Sequence, residues 1–157
     1  MCDRNYCDRR YLVMELDELL GSKKEIYCVG CQLMVSARLT NGEEMYPHRE
    51  DLECLPFWVC DTCRSFVGTH HQTDDWLRPL GFLATPEIKR WRMIIHGILD
   101  PLWKTGKRKR GALYAEISEA LGRTYHTAEI YSVDEARKIY EIVKGIKDRL
   151  DPGPWNR

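Results

Sequence analysis

The stretch "EIYCVGCQLMVSARLTNGEEMYP", residues 25–47, carries a tight cysteine pair, Cys28 and Cys31, and "FWVCDTCRSFVGTH", residues 57–70, carries a second, Cys60 and Cys63. A Cys-x2-Cys turn brings two thiolates onto one tetrahedral ion at about 2.3 Å, and two such turns complete a four-sulfur shell. That shell has no open position for water or substrate, so the Zn2+ expected here is structural rather than catalytic. The 28 residues between the knuckles exceed the ~15–20 usual for paired knuckles. A hairpin between them accounts for the excess. An iron centre of the same geometry uses the same donors, and four unrelated buried thiols are the bland alternative.

The chain has 157 residues, 43% hydrophobic and 31% charged, which fits a folded protein of one or two small domains. No apolar run approaches the ~20 residues of a membrane helix. The start, "MCDRNYCDRR", lacks the apolar core of a secretory leader, so a cytoplasmic protein is the expectation. In a reducing cytoplasm, paired cysteines favour metal over disulfide. Of the other three cysteines, Cys54, Cys2 and Cys7 have poor ligand spacing and read as buried or free thiols. His48, His70 and His71 could each replace a cysteine, but four sulfurs already suffice.

The formal net charge of zero hides an asymmetry: residues 1–27 carry −1, residues 28–85 carry −4 and residues 86–157 carry +5. Attraction for nucleic acid therefore belongs to the C-terminal part.

Outward from the knuckles, "RRYLVMELDELLGS" predicts a helix ending at Gly21, with Leu12, Leu16, Leu19 and Leu20 on one face. Asn41-Gly42 predicts a two-residue hairpin turn between "LMVSARLT" and "EEMYP". "HREDLECL" suggests a helical turn, and "QTDDWLRPLGFLA" a connector. Thr85-Pro86 is a helix start. Ile88, Trp91, Ile95, Ile98 and Leu102 then share a stripe, with Trp91, Ile95, Ile98 and Leu102 expected in the core. Pro101 is expected to end or kink this helix after Leu99. "ALYAEISEALG" closes at Gly122, and Ser132 with Glu135 makes a capping box for the last helix. The resulting class is α+β: a small zinc-ribbon-like β-module packed with about three to four helices. The expected divisions are an N-terminal helix (1–24), the four-cysteine zinc-ribbon-like module (25–85), a helical segment packed on it (86–150) and a tail (151–157).

Two polar groupings could carry chemistry. Arg92, His96 and Asp100, at i, i+4 and i+8, line one helix edge. They make either an acid–base set, with Asp100 orienting His96, or a structural polar row, which is the reading taken here. Lys104, Lys107, Arg108, Lys109 and Arg110 form a basic cluster flanked by Trp103 and Tyr114. Cations neutralise phosphates and aromatics stack on unpaired bases, although a solvated loop has the same composition. Gly111 to Lys144 imitates a helix-turn-helix, but with a connection longer than the usual ~3–4 residues.

The segments "YCVGC", "MYPHREDL", "FWVCDTCRSFVGTHHQT", "PLGFLA", "RWRMIIHGILDPLW" and "HTAEIYSVDEARKIYEIV" occur in order. Together they resemble the phage-associated zinc-finger-containing domain proteins over residues 25–145. That family has a paired-CxxC ribbon followed by R-x3-H-x3-D-x2-W, matched here by Arg92, His96, Asp100 and Trp103. The resemblance implies a zinc-binding protein of phage or prophage origin, placed in the host cytoplasm, and implies no activity. The first functional expectation is a non-enzymatic protein that binds DNA or RNA through the 104–110 loop. The alternative is an interaction module whose acidic ribbon engages a host protein such as a polymerase or defence nuclease. An enzyme built on His96 and Asp100 is the weakest reading, and neither a membrane nor a small-molecule substrate is expected.

Overall fold

The computed structural model describes residues 10–153. The chain is α+β and divides into two compact units, Met1–Thr85 and Pro86–Arg157.

In the first unit, helix α1 (Arg10–Leu19) precedes strands β1 (Lys23–Cys28) and β2 (Leu33–Asn41), the single helical turn α2 (Gly42–Met45), and strands β3 (Pro56–Val59) and β4 (Phe66–Gly68). A 3-10 turn, Glu50–Leu52, falls within the expected helical turn. The four strands form an antiparallel sheet in chain order. Cys28 pairs with Leu33, and Val59 with Phe66, so each hairpin reverses through a cysteine knuckle. Leu16, Ile26, Ala37, Leu39, Trp58, Val67 and Leu83 bury together against the sulfurs of Cys28 and Cys60. Leu19 and Leu20 of the expected α1 stripe are exposed, and the Leu12 side chain lies outside what is described. Gly21 follows α1 with φ +86°, and its N–H bonds to the Leu39 carbonyl at 2.9 Å.

The Asn41-Gly42 hairpin is not formed. Neither residue has a positive φ; Asn41 instead caps α2, its side chain accepting from the Glu44 N–H at 3.3 Å. "EEMYP" is therefore not strand: residues 43–45 belong to the helical turn and Tyr46 caps it. The glycine is explained by close approach: a Cβ at Gly42 would stand 1.7 Å from the Leu52 carbonyl oxygen.

Residues 83–84 tie the outer strands together. Leu83 exchanges backbone bonds of 2.9 Å with Tyr27 and Val29 at the end of β1, and Ala84 pairs with Phe66 of β4 at 3.2 and 3.3 Å. One strap thus spans both knuckle-bearing hairpins. Upstream of it, the buried Trp58 indole donates to the Leu77 carbonyl at 2.7 Å and pins the connector.

In the second unit, α3 (Pro86–Lys104) and α4 (Arg110–Leu121) each pack on α5 (Val133–Leu150). Ile88, Ile95, Leu99 and Leu102 are the buried residues of α3. Leu99 takes the place expected for Ile98, and Trp91 is only half-buried, edge-on to Tyr140 with ring centres 5.9 Å apart. Neighbouring positions on a helix differ by about 100°, so the two aliphatic candidates at 98 and 99 straddle the stripe's edge.

Helix α3 also continues through Pro101. The proline removes one amide donor, but the last turn survives. Leu102 is buried there, and Thr105 bonds the Pro101 carbonyl through its N–H at 3.0 Å and its hydroxyl at 2.6 Å. Gly122, with φ +80°, closes α4.

The link from α4 to α5, residues 122–132, is organised by Arg123 and Glu135. The Arg123 guanidinium donates to the buried Glu135 carboxylate, whose other oxygen accepts the Tyr131 N–H at 3.1 Å. Ser132 caps α5 by accepting from the Glu135 N–H at 3.0 Å. The expected capping box is thus half-formed, because Glu135 reaches back to Tyr131 rather than to Ser132.

Candidate metal centre

Cys28, Cys31, Cys60 and Cys63 bring their Sγ atoms within 4.8 Å of one another. Sulfurs of different knuckles are in contact, Cys28 with Cys63 at 3.4 Å and Cys31 with Cys60 at 3.7 Å. A tetrahedral ion with bonds of about 2.3 Å requires sulfurs about 3.8 Å apart. The cluster therefore needs only small adjustments to close around such an ion, and an all-sulfur tetrahedral set fits zinc or iron.

The two knuckles are copies of one local design. In each, the residue after the second cysteine has a left-handed backbone, Gln32 at φ 58° and Arg64 at φ 64°. Each donates its N–H to the carbonyl of the first cysteine, at 2.8 Å in both cases. That repeated turn aims the paired thiols inward. Gly30 lies against the opposite knuckle, where an added Cβ would stand 2.7 Å from Cys63 Sγ and 2.6 Å from Ser65 Oγ.

Three thiols, Cys28, Cys31 and Cys63, are perturbed. Burial pushes Cys28 up, and sulfur contacts with Cys63 and Cys60 push Cys31 up to about 12. At Cys63 burial acts upward, but hydrogen bonds with the Ser65 hydroxyl and N–H, and with Cys28 and Cys31, bring it down to about 6. Ser65 Oγ lies 3.1 Å from Cys63 Sγ and is buried. Sequence reasoning missed this residue, whose only signal is its place two positions after a ligand. A divalent cation would displace the shared protons, so affinity should fall with acidity.

Around the second knuckle, Arg38 of β2 donates to Asp61 at 2.8–3.1 Å and to Glu44 at 2.8 and 3.0 Å. Arg64 adds a bond to Glu44 at 2.9 Å. Arg38 first, then Thr40 and Arg64, outweigh burial and hold Glu44 down at about 2. The acidity counted for this unit is thus partly neutralised within it. Cys54, expected as a buried or free thiol, is disulfide-bonded. Cys2 and Cys7 lie outside the described residues. His48 is exposed and His70 and His71 half-buried, and none belongs to the sulfur cluster.

The polar row of α3 separates into two tasks. Arg92 donates to the Ile130 carbonyl at 3.3 Å, joining α3 to the α4–α5 link, and burial lowers its pKa to about 10. Asp100 gathers His96 Nδ1 at 3.1 Å, the Trp103 indole at 3.3 Å and Lys104 at 3.4 Å. These bonds, led by that to His96, outweigh burial and lower the Asp100 pKa.

The basic cluster is more engaged than its composition suggests. Lys104 pairs with Asp100, Lys107 with Asp151 at 2.6 Å and Arg108 with Glu116 at 3.0 Å. Lys109 is exposed and has no ion-pair partner among the described residues. Arg110 lies over Trp103 at 5.5 Å and Tyr114 at 5.0 Å. No described helix is long and apolar enough to cross a membrane.

A sheet whose hairpins turn on paired Cys-x2-Cys knuckles, with four converging sulfurs, defines a zinc-finger-like metal-binding class. Residues 22–149 match the family described as zinc-finger-containing domain, and the chain belongs to that family. No curated protein and no solved structure matches the chain.

Proposed function

We propose that this is a non-enzymatic nucleic-acid-binding protein, with a structural Zn2+ on Cys28, Cys31, Cys60 and Cys63 and a nucleic-acid contact at the α3–α4 turn. The choice of zinc rests on family membership and the all-thiolate donor set. The structural role rests on the closed four-sulfur shell. The non-enzymatic reading is supported by Asp100, whose carboxylate is shared among His96, Trp103 and Lys104 in a bracing arrangement. The phage or prophage origin in this reading rests on the ordered flanking motifs alone.

The observation that carries the nucleic-acid reading is the exposed Arg110 guanidinium, set over Trp103 and Tyr114 beside exposed Lys109 on the +5 part of the chain. Fluorescence anisotropy of the zinc-loaded protein with labelled DNA and RNA oligonucleotides tests it. Micromolar binding that weakens about tenfold in Lys109→Ala/Arg110→Ala supports the reading. Absence of binding to every oligonucleotide at ~50 mM salt overturns it.

A second reading, an interaction module for a host protein such as a polymerase or defence nuclease, draws on one feature. Leu33 and Met34, next to the first knuckle, are 54% and 53% exposed. Capture of one such enzyme by the wild type, lost in Leu33→Ser/Met34→Ser with zinc retained, would favour it. Neutralising Glu44 is a poor probe, because its carboxylate braces Arg38 and Arg64.

A further inference from the structure

We infer that the nucleic acid bound at the α3–α4 turn is single-stranded, held by stacking of an unpaired base on Arg110 rather than by a row of phosphate contacts. This rests on the nucleic-acid reading above and narrows it.

The first argument is the fate of the cations. Lys104, Lys107 and Arg108 each have a carboxylate at 3.4, 2.6 and 3.0 Å. Glu116 is further held by Arg149, which donates to its other oxygen. A cation must leave its internal partner to meet a phosphate, so these three gain little from the exchange. Lys109 and Arg110 remain. Duplex affinity for a small protein comes largely from counterion release and grows with the number of phosphates neutralised. Two phosphate contacts make a weak duplex binder.

The second argument is the stacking platform. Arg110 Nη2 donates to the Tyr114 hydroxyl at 3.4 Å, while the guanidinium sits over both the Tyr114 and Trp103 rings. Neither ring is adrift. Tyr114 leans on buried Tyr125, with ring centres 5.2 Å apart, and the Trp103 indole is held by Asp100. An exposed planar cation held against two anchored rings is a group on which a base can stack. A duplex hides its base faces; a single strand offers them. Gly106 and Gly111, on either side, have open space where a side chain would stand.

The test uses the full-length, zinc-loaded protein with fluorescein-labelled ~15-nucleotide single-stranded DNA, the corresponding RNA and a ~15-base-pair duplex, from ~50 to ~200 mM NaCl. The expected result is tenfold or more preference for single strands, with RNA and DNA arms showing which backbone is preferred. Two phosphate contacts predict a log–log slope near −1.4 on single strands, an affinity loss of about sevenfold across that range, where five would predict about a hundredfold. Arg110→Lys keeps the charge and loses the plane, and should cost about tenfold with the slope nearly unchanged. Circular dichroism and zinc content establish that the variant is folded. Equal or tighter duplex binding with a steep salt dependence overturns the single-strand inference and leaves the nucleic-acid reading standing. Arg110→Lys binding like wild type overturns the stacking. No binding to any strand overturns both.

Discussion

The first unit has strands of six, nine, four and three residues, turned at two cysteine knuckles; the second has helices of 19, 12 and 18 residues. Strands of three and four residues form a hairpin too short to be stable alone. It is closed at its end by Cys60 and Cys63, and its outer strand is tied at Phe66 to the Leu83–Ala84 strap. The helices of the second unit bury an apolar seam, Ile95, Leu99 and Leu102 from α3 and Ile139, Val143 and Ile146 from α5. Helices of that length, packed on one another, need no cross-link. The first unit thus sets four sulfurs where an ion could close its hairpins, beside an apolar core of its own, whereas the second relies on ordinary burial alone.

Stripping the metal should break this comparison most visibly. Zinc in small finger modules is worth about 10–16 kcal/mol of apparent binding, all of it folding free energy. Chelation at neutral pH should abolish amide protection in β1–β4 while α3 and α5 keep theirs, read by hydrogen exchange. Cys28→Ser/Cys60→Ser should be poorly soluble. A double variant that is soluble, metal-free and protected throughout the sheet would remove the structural role of the ion.

Next in size is Gly30→Ala. Its new Cβ would stand at 2.6–2.7 Å from Ser65 Oγ and Cys63 Sγ, which cannot both retreat without moving a ligand. Zinc affinity, measured by competition with a chromogenic chelator, should fall by about 10–100-fold, the range seen when groups supporting metal ligands are disturbed. The matching change in the second unit has the opposite sign. Gly97 in α3 has open space around a Cβ, so Gly97→Ala should stabilise by about 0.5–1 kcal/mol. Zinc affinity unchanged in Gly30→Ala would show that the knuckles are looser than their packing implies.

Glu135→Ala tests whether the second unit has a polar keystone of its own. The substitution strips Arg123 and the Tyr131 N–H of their acceptor at a side chain only 6% exposed. Arg123 keeps partial access to water, so the expected cost is about 2–3 kcal/mol, below that of a fully buried pair. Thermal unfolding should show it, with zinc content unchanged. A loss under ~0.5 kcal/mol would reduce the pair to an ordinary surface contact.

What could be read from sequence follows the same division between local and distant causes. The knuckles were legible because Cys-x2-Cys is a local geometry, and so were Gly122 and Ser132, which act on their own helix ends. Asn41-Gly42 misled because the dipeptide says nothing of Leu52, whose carbonyl occupies the space above Gly42. The Leu83–Ala84 strap looked like plain connector, since its partners Tyr27, Val29 and Phe66 are remote in the chain. The basic cluster looked free for phosphate because Asp151, Glu116 and Arg149 come from other segments. Charge composition gives the sign of a surface, and only the fold gives the number of charges left to spend.

A last and modest effect sharpens the account of α3. Burial, with the Arg92 charge adding to it, brings the half-buried Lys89 down to about 7 from an ordinary 10.5. The folded chain therefore releases this proton near pH 7 and the unfolded chain near pH 10.5. Between those values the unfolded chain binds more protons, so wild-type stability from this group rises with pH. Below pH 7 the penalty for burying the ammonium is complete, and it fades as pH approaches 10.5. Lys89→Met removes the penalty and keeps the stem, so the variant should exceed wild type by about 5 °C at pH 7, the shift that about 1 kcal/mol produces in a domain of this size. The gap should narrow steadily at pH 8.5 and 10. A gap independent of pH would assign the gain to packing alone. A variant less stable than wild type at pH 7 would mean that the Lys89 ammonium is stabilised by its surroundings, reversing the sign assigned to burial here.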